Sequence, residues 1–344
     1  MIHTRAIVLA AAAVVLASTA WCVPPGTSPG PGVRYATDAY PGFDSEDEII
    51  KPSRKEPRWF SWLNGPAKEN ASDQYIHALA CEASKSWRAA RRAYDALVRE
   101  WPTAPEAAKA QKALADIQLD YFHDAEAAFR EYRYLLDFFS SQCDYDAVAE
   151  TLYQVAGRMR EEGKRLLFFR FANTVDVRRA YEAVVLRAPG ATFAPAAMLA
   201  IAELREDEYR PETAVAVYEN LRNLHPNTPE ADEALYREAK ARMEVLRRCE
   251  YNRDRMKDTM NFFRLATAAG RLAPERRAEV EGMLEEAKTL FEDDAYNAAK
   301  FYDSRTRTQR SAINAYERFL ADYPASVHAP EARRRLFELK GEAK

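Results

Sequence analysis

Residues Tyr316–Ala332, YERFLADYPASVHAPEA, carry the spacing that decides the fold. Tyr316 is followed eight residues later by Pro324, and Ala329 and Ala332 lie five and eight residues beyond that proline. A repeated helix–turn–helix unit keeps such a register, because each copy must bury the same face against its neighbour. The register occurs three more times, at Tyr94/Pro102/Ala107/Ala110, Tyr181/Pro189/Ala194/Ala197 and Tyr218/Pro226/Ala231/Ala234.

The register has a direct steric explanation. Proline removes an amide donor and disfavours helix for the residue before it, so each proline ends one helix and opens a turn. Two alanines three residues apart let the next helix approach closely, and we predict that the tyrosines and alanines are core. Each tyrosine shares a helix face with an apolar residue three positions later, namely Leu97, Val184, Leu221 or Phe319.

The gaps between copies predict additional, degenerate units. Pro102 and Pro189 are 87 residues apart, and Pro226 and Pro324 are 98 apart, so each gap has room for one more hairpin. Helices over Asp124–Phe139 and Asp146–Arg160 fill the first gap, with Ala128, Tyr132 and Leu135 on the buried face. Helices over Tyr251–Ala269 and from Pro274 to Tyr302 fill the second. Strand-like alternation is missing, so we predict an all-α chain of five to six hairpins.

The N-terminus is typical of a secretory signal. Arg5 precedes a 12-residue apolar run, Ala6–Ala17, which is too short to span a bilayer. One cleavage site follows Ala20. The other cleavage site lies directly before Cys22, so that residues 1–21 are a lipoprotein-type signal and Cys22 becomes the acylated first residue. Trp21 departs from this pattern, because a small residue is usual before that cysteine. The lipid-anchored interpretation is favoured, and a soluble periplasmic protein is the alternative.

Residues 22–66 are predicted to be a tether, and residues 67–344 the helical repeats. Seven prolines and four glycines occur over residues 23–57, which at about 3.1 Å per residue could reach on the order of 100 Å. Trp59, Phe60 and Trp62 follow, and we expect them to cap the first hairpin. Cys81, Cys143 and Cys249 are too widely spaced for a disulfide framework, although a Cys81–Cys143 bridge stays possible.

The sequence holds no recognisable catalytic motif. Its five histidines are scattered, without an HExxH pair, a phosphate-binding glycine loop or a GxSxG elbow. Asp120, His123 and Asp124 could share one helix face as metal ligands, but a solvated turn is the favoured interpretation. A formal charge of −3 offers no case for nucleic acid. We predict a protein that is not an enzyme and needs no cofactor or metal.

One stretch is locally basic. Twelve basic and six acidic residues lie between Arg237 and Arg277, a local excess of +6. Such a run is usually the solvated face of helices. The alternative is a surface for an acidic partner or for anionic lipid head groups.

The repeat resembles a known family. The Ala-x-x-x-Tyr…Pro spacing matches the tetratricopeptide repeat, which implies a right-handed α-solenoid. The string Tyr323–Ala332 resembles the version found in two groups of periplasmic proteins. These are the BamD-type outer-membrane assembly lipoproteins and the YbgF/CpoB-type coordinators of envelope and division machinery. Residues Ala295–Tyr302 leading into Ala312–Leu320 are similar to the last repeat of BamD, and Cys22 ends the signal.

The resemblance implies a non-catalytic scaffold at the periplasmic face of the outer membrane. The C-terminal repeats of BamD-type proteins hold the periplasmic domains of the barrel-assembly subunit, and their N-terminal repeats receive the C-terminal signal strand of unfolded barrels. Val23 after Cys22 suits an outer-membrane anchor. An extended substrate needs aromatic and hydrogen-bonding groups, for which the candidates are Tyr75, Gln111, Gln118 and Tyr121. The candidates for the assembly partner are Arg247, Arg248, Arg253 and Arg255.

Overall fold

The all-α prediction is confirmed by a computed structural model that describes residues 40–44, 65–165, 170–248, 253–304 and 309–342. Within these ranges there are thirteen α-helices, one short 3-10 helix at Ser140–Gln142 and no strand. None of the described helices combines the length and apolarity required to cross a bilayer. The signal, Cys22, most of the tether, Trp59, Phe60, Trp62 and Cys249 lie outside the described residues.

Helices that are adjacent in the chain pack against one another among the first four helices and among the last eight. In chain order they are α1 Ala71–Ala83, α2 Trp87–Glu100, α3 Ala107–Asp120, α4 Ala125–Phe139, α5 Tyr145–Arg165, α6 Arg170–Arg187, α7 Ala194–Asp207, α8 Pro211–Leu224, α9 Pro229–Arg248, α10 Arg253–Ala268, α11 Pro274–Asp303, α12 Gln309–Asp322 and α13 Ala329–Glu342.

The repeated register forms the core, as predicted. All four tyrosines and all eight alanines of the register are buried, and none exceeds 5% exposure. The apolar residues three positions after the tyrosines are buried as well. Two of the tyrosine hydroxyls donate to carboxylates of the preceding helix, Tyr94 to Glu82 at 2.6 Å and Tyr316 to Asp303 at 3.2 Å. The tyrosine therefore fills the hairpin interior while its hydroxyl retains a polar partner.

The four turns after these tyrosines share one backbone hydrogen-bond pattern. In the first copy Trp101 N–H donates to Leu97 O at 2.9 Å, Ala104 N–H to Trp101 O at 3.0 Å, and Ala107 N–H to Ala104 O at 3.0 Å. The other three copies have the same three bonds, in which each residue's N–H donates to the carbonyl of the residue before it in the series. The series are 184, 188, 191 and 194; 221, 225, 228 and 231; and 319, 323, 326 and 329. The proline lies inside this ladder, where its missing N–H is not required.

The chain divides into two compact units. The described part of unit 1 comprises residues 65–152, in which α1 to α4 pack in sequence. Ala128, Tyr132 and Leu135 of α4 are buried there, as predicted. Unit 2 comprises residues 40–44 and the chain from residue 153 onward, in which α6 to α13 pack in sequence.

The second gap is filled by unusually long helices of unit 2. α9 packs against both α10 and α11, and their shared core includes Met243, Met260 and Phe263. The 30-residue α11 continues beyond this core, and its Tyr296 and Ala299 join Tyr316 and Phe319 in the next one. One helix therefore links the degenerate unit to the last copy of the repeat.

Candidate functional site

An open pocket lies where the first two hairpins of unit 1 end. α1 ends in a left-handed residue, Lys85 at φ 57°, with Ser86 N–H bonded to Cys81 O at 2.9 Å and Lys85 N–H to Glu82 O at 2.8 Å. This tight C-terminal turn starts α2 at once, with Trp87 as its first residue. α3 ends in a similar way, with His123 at φ 51° and Phe122 N–H bonded to Ile117 O.

Trp87 and Phe122 line the pocket, and cations form its rim. The Trp87 ring stacks on the neighbouring Tyr121 with centroids 3.4 Å apart, and the Arg91 guanidinium lies 5.1 Å from the Phe122 ring centroid. The cavity measures about 460 Å³. It is lined by Lys85, Ser86, Trp87, Arg88, Ala89, Arg92 and Phe122, which we call the unit 1 pocket.

The cations of the unit 1 pocket are available to a ligand. Lys85, Arg88 and Arg92 are exposed, and no ion pair joins any of them to another of the described residues. An aromatic surface beside unpaired guanidinium groups suits a ligand that carries both a ring and a carboxylate, since arginine binds carboxylates through its planar fork.

Of the four residues predicted to receive an extended substrate, Tyr121 lies beside this pocket, 48% exposed and stacked on Trp87. Tyr75 is half-buried, with its ring centroid 6.0 Å from that of Tyr94. Gln111 and Gln118 are interior residues at 0% and 8% exposure. The Gln111 side chain donates to the backbone and carboxylate of Glu131 at 2.9 and 2.7 Å, so the predicted role in substrate binding does not carry over to it.

Sequence reasoning missed the pocket-lining residues, although the run Lys85–Arg92, KSWRAARR, interleaves a tryptophan with four cations. The alternative metal ligands Asp120, His123 and Asp124 lie on an exposed turn, where Asp124 caps α4 by accepting from Ala127 N–H at 2.9 Å. Within the described ranges no three histidine, cysteine or acidic residues are grouped as a metal site. Cys81 and Cys143 are free thiols, and burial raises the pKa of Cys143 to about 11.

The basic run of unit 2 is largely neutralised by acidic residues of neighbouring helices. Arg247 forms two bonds of 2.9 Å with Glu286, and this pairing lowers the pKa of Glu286. Several of the acidic partners, including Glu203, Glu286 and Asp294, lie outside the run, so they compensate much of its local excess of +6.

The other predicted partner-binding arginines are likewise engaged. Arg248 pairs with Glu244 at 2.9 Å, and Arg253 pairs with Asp294 at 2.9 Å while lying over the Phe291 ring. Arg255 lines a cavity of about 210 Å³ together with Glu212 and Asp258. The four predicted residues are therefore distributed over separate contacts.

A different cluster in unit 2 holds two arginines that are almost fully buried. Arg178 of α6 and Arg205 of α7 are each 2% exposed along their side chains. Arg178 donates to Glu182 at 2.6 Å and to Glu208 at 2.8 Å, while Arg205 donates to Glu208 at 3.3 Å. These four residues, which we call the arginine site, come from α6, from the last turn of α7 and from Glu208, which directly follows α7. Buried charges of this kind persist only when they are paired and hydrogen-bonded.

The arginine site binds a segment from far upstream in the chain. Asp44 accepts from Arg178 at 2.7 Å and from Arg205 at 2.9 Å, and Gly42 O accepts from Arg205 at 2.6 Å. Residues Tyr40–Asp44 fall within the predicted tether, and the structure places them against unit 2. No sequence pattern indicated this contact, because Asp44 and Arg178 are 134 positions apart in the chain.

The bound segment is a type II turn. Phe43 N–H donates to Tyr40 O at 3.1 Å, and Gly42 at φ 89° occupies the third position, behind Pro41 at the second. The Tyr40 and Phe43 rings stack at 5.1 Å. A Cβ on Gly42 would lie 2.8 Å from Val217 Cγ2 and 2.9 Å from Thr213 O of α8. The turn therefore approaches the α8 backbone so closely that only glycine fits.

The carboxylates at the arginine site differ in their protonation. Burial raises the pKa of Glu182 to about 7, against the opposing effects of Arg178 and Arg205, and the Asp44 charge raises it further. For Asp44, burial acts to raise the pKa, but the hydrogen bonds from Arg205 and Arg178 outweigh it and hold the pKa below its ordinary value. Asp44 is therefore the ionised partner of the two arginines at neutral pH.

Comparison with known proteins gives little further guidance. A scan against protein-family profiles found no match, and a search of curated proteins found none. Among solved structures, the chain aligns with an assembly chaperone of RpL4 (Acl4, residues 1–338) over 80% of this chain and 99% of that one. At 14% identity and a TM-score of 0.23, this likeness carries no weight for function.

Proposed function

We propose that this protein is a non-catalytic scaffold of the cell envelope. In this proposal it resembles BamD-type lipoproteins and helps to assemble β-barrel proteins into the outer membrane by binding other proteins. The observation that carries the proposal is the unit 1 pocket. Its Trp87, which stacks on the neighbouring Tyr121, and its cations Lys85, Arg88 and Arg92, which form no ion pair with another described residue, lie in the N-terminal hairpins. In BamD-type proteins the N-terminal repeats receive the barrel substrate.

The chemistry of the pocket supports a particular ligand. A barrel strand that ends in an aromatic residue offers a ring for the aromatic side and a free carboxylate for the cationic rim. Main-chain groups of such a strand add little specificity, whereas the terminal carboxylate can bind arginine in bidentate fashion. Cys22, outside the described residues, would supply the membrane anchor.

A peptide titration tests the ligand assignment. The full chain is titrated into a fluorescent peptide of alternating apolar residues that ends in Phe with a free carboxylate, and into the same peptide with a C-terminal amide. We expect the free carboxylate to bind at least about tenfold more tightly, because a charge-assisted pair is lost in the amide. Equal binding of the two peptides would contradict the assignment.

A second experiment tests the cellular role. The tagged full chain is isolated from detergent-solubilised membranes, and the proteins that accompany it are identified by mass spectrometry. We expect a barrel protein with periplasmic domains and a mature N-terminus at diacylglyceryl-Cys22. Division proteins in its place would favour the YbgF/CpoB-type role, and an unaccompanied soluble protein would argue against both.

A further inference from the structure

The way Tyr40–Asp44 lies on unit 2 has the form of a peptide bound to a receptor. The segment presents a main-chain carbonyl and a carboxylate, and both are read by buried guanidinium groups. Its turn fits the α8 backbone at Gly42, where a side chain is excluded. The α8 backbone thus recognises the shape of the turn, and the two arginines recognise its main-chain carbonyl and its charge.

The arginine site does not need this segment to satisfy its charges. Without Asp44, Arg178 keeps its bonds to Glu182 and Glu208, and Arg205 keeps Glu208. All four of these residues come from α6 and from the C-terminal end of α7, which pack directly on each other. Each arginine therefore has a carboxylate partner within the site that does not depend on the segment.

The charges of the site also accommodate an acidic ligand. Burial opposes the negative charge on Glu182, so an arriving carboxylate meets less repulsion than two ionised glutamates would exert. In addition, Arg205 Nε is buried without a hydrogen-bond partner among the described residues, so the bound segment leaves one donor of the site unused.

We propose that the arginine site is a peptide-recognition site for a Pro-Gly turn followed by an acidic residue. Tyr40–Asp44 occupies it as an internal competitor that a segment of the same chemistry from another protein displaces. A second copy of this chain is a poorer occupant, because the segment of each copy already fills its own site. The proposal goes beyond the scaffold function and does not depend on the unit 1 pocket.

The test uses a variant of the full chain in which the segment no longer occupies the arginine site, and adds the segment as a separate peptide. The probe is a fluorescent peptide with the sequence of residues 37–48, TDAYPGFDSEDE. Gly42→Ala in the protein should expel the internal segment, because the new Cβ would collide with α8. The wild-type segment competes at an effective concentration in the millimolar range, so we expect the variant to bind the peptide at least about tenfold more tightly.

Two controls keep the result interpretable. Gly270→Ala introduces a Cβ at a similar positive φ of 69°, but with nothing within 4 Å, so it should leave peptide binding at the wild-type level. A peptide in which Asp44 is replaced by Asn should bind the Gly42→Ala protein at least about tenfold more weakly, and this comparison needs no further change to the protein.

Three outcomes would overturn the proposal. The first is that Gly42→Ala binds the peptide no better than wild type does. The second is that the Asn-containing peptide binds as tightly as the original. The third is a wild-type protein that dimerises with concentration and loses this property in Gly42→Ala, which would assign the site to a second copy. Circular dichroism at 222 nm establishes that each variant is folded.

Discussion

The unit 1 pocket and the arginine site of unit 2 use the same side chain in opposite ways. In the pocket, Arg88 and Arg92 are exposed and unpaired among the described residues, so water solvates them until a ligand arrives. In the arginine site, Arg178 and Arg205 are 2% exposed and bind three carboxylates. An exposed guanidinium needs no partner, but a buried one must have several. The exposed arginines can therefore bind a ligand directly. The buried arginines can bind one only after Tyr40–Asp44 has left the arginine site.

The largest effect should come from removing a buried arginine. Arg178→Ala leaves Glu182 and Glu208 without their shorter bonds, and uncompensated buried charge destabilises by about 3–5 kcal/mol. Urea denaturation followed by circular dichroism measures this. The matched control is Arg248→Ala, whose exposed pair with Glu244 should contribute less than about 1 kcal/mol. Equal losses in the two variants would show that burial does not distinguish the two classes of arginine.

The next effect is a dependence of stability on pH that belongs to the arginine site. The pKa of Glu182 is raised from 4.5 to about 7, where Arg178, Arg205 and Asp44 are the charged groups that face it. The folded protein therefore holds this proton more tightly than the unfolded chain. The resulting stabilisation is complete below pH 4.5 and is lost as the pH rises through about 7, and it amounts to on the order of 3 kcal/mol.

Glu182→Gln tests this dependence, because glutamine does not titrate. Urea midpoints measured at pH 5, 6, 7 and 8 should vary less in the variant than in the wild type. Between pH 5 and pH 8 the free energy of unfolding should fall less in Glu182→Gln than in the wild type. The difference should be most of the stabilisation that the Glu182 proton provides. A variant that keeps the full wild-type slope would mean that another group is responsible.

A smaller effect is expected at the unit 1 pocket, and on binding rather than stability. Arg88→Glu together with Arg92→Glu reverses two exposed charges, so the stability should change by less than about 0.5 kcal/mol per site. Binding of the peptide that ends in a free carboxylate should weaken at least about tenfold, as measured by fluorescence anisotropy. Lys68→Glu with Lys109→Glu is the matched pair, because both lysines are exposed in the same unit and form no ion pair with another described residue. Loss of binding in this control would point to a general charge effect.

The smallest effect should come from the basic run. Arg247 is 52% exposed and paired with Glu286, so Arg247→Ala should cost less than about 1 kcal/mol, and less still in high salt. Thermal denaturation at 0.05 and 0.5 M NaCl measures both values. A cost comparable to that of Arg178→Ala would contradict the distinction between exposed and buried pairs.

The sequence predicted the hairpins well because their requirements are local and repeated. Tyr94, Tyr181, Tyr218 and Tyr316 each fill one hairpin, and a proline at one fixed offset can end a helix in only a few ways. The buried position of Gln111 was also accessible, since it lies one and four residues after Ala110 and Ala107, on the face that those alanines define. The polarity of the Gln111 side chain suggested a surface position, whereas its spacing from Ala107 indicated a position in the interior.

The two sites were harder to predict for different reasons. The unit 1 pocket brings together the start of α2 and the end of α3, so its aromatic stack appears only when two hairpins are packed. The bound segment lies in a stretch rich in proline and glycine, a composition typical of a tether. Proline and glycine also favour a type II turn, but only the surface of α8 and the two arginines give that turn a partner.

The contact of Asp44 with Arg178 and Arg205 has a consequence for the distance between this protein and a membrane. If Cys22 carries a lipid, eighteen residues separate it from Tyr40, and a chain of that length spans at most about 60 Å. While the segment is bound, the arginine site stays within that radius of the bilayer. Displacement of the segment by another peptide would lengthen the free part of the tether. The occupancy of the arginine site would then set how far unit 2 can move from the membrane to reach a partner.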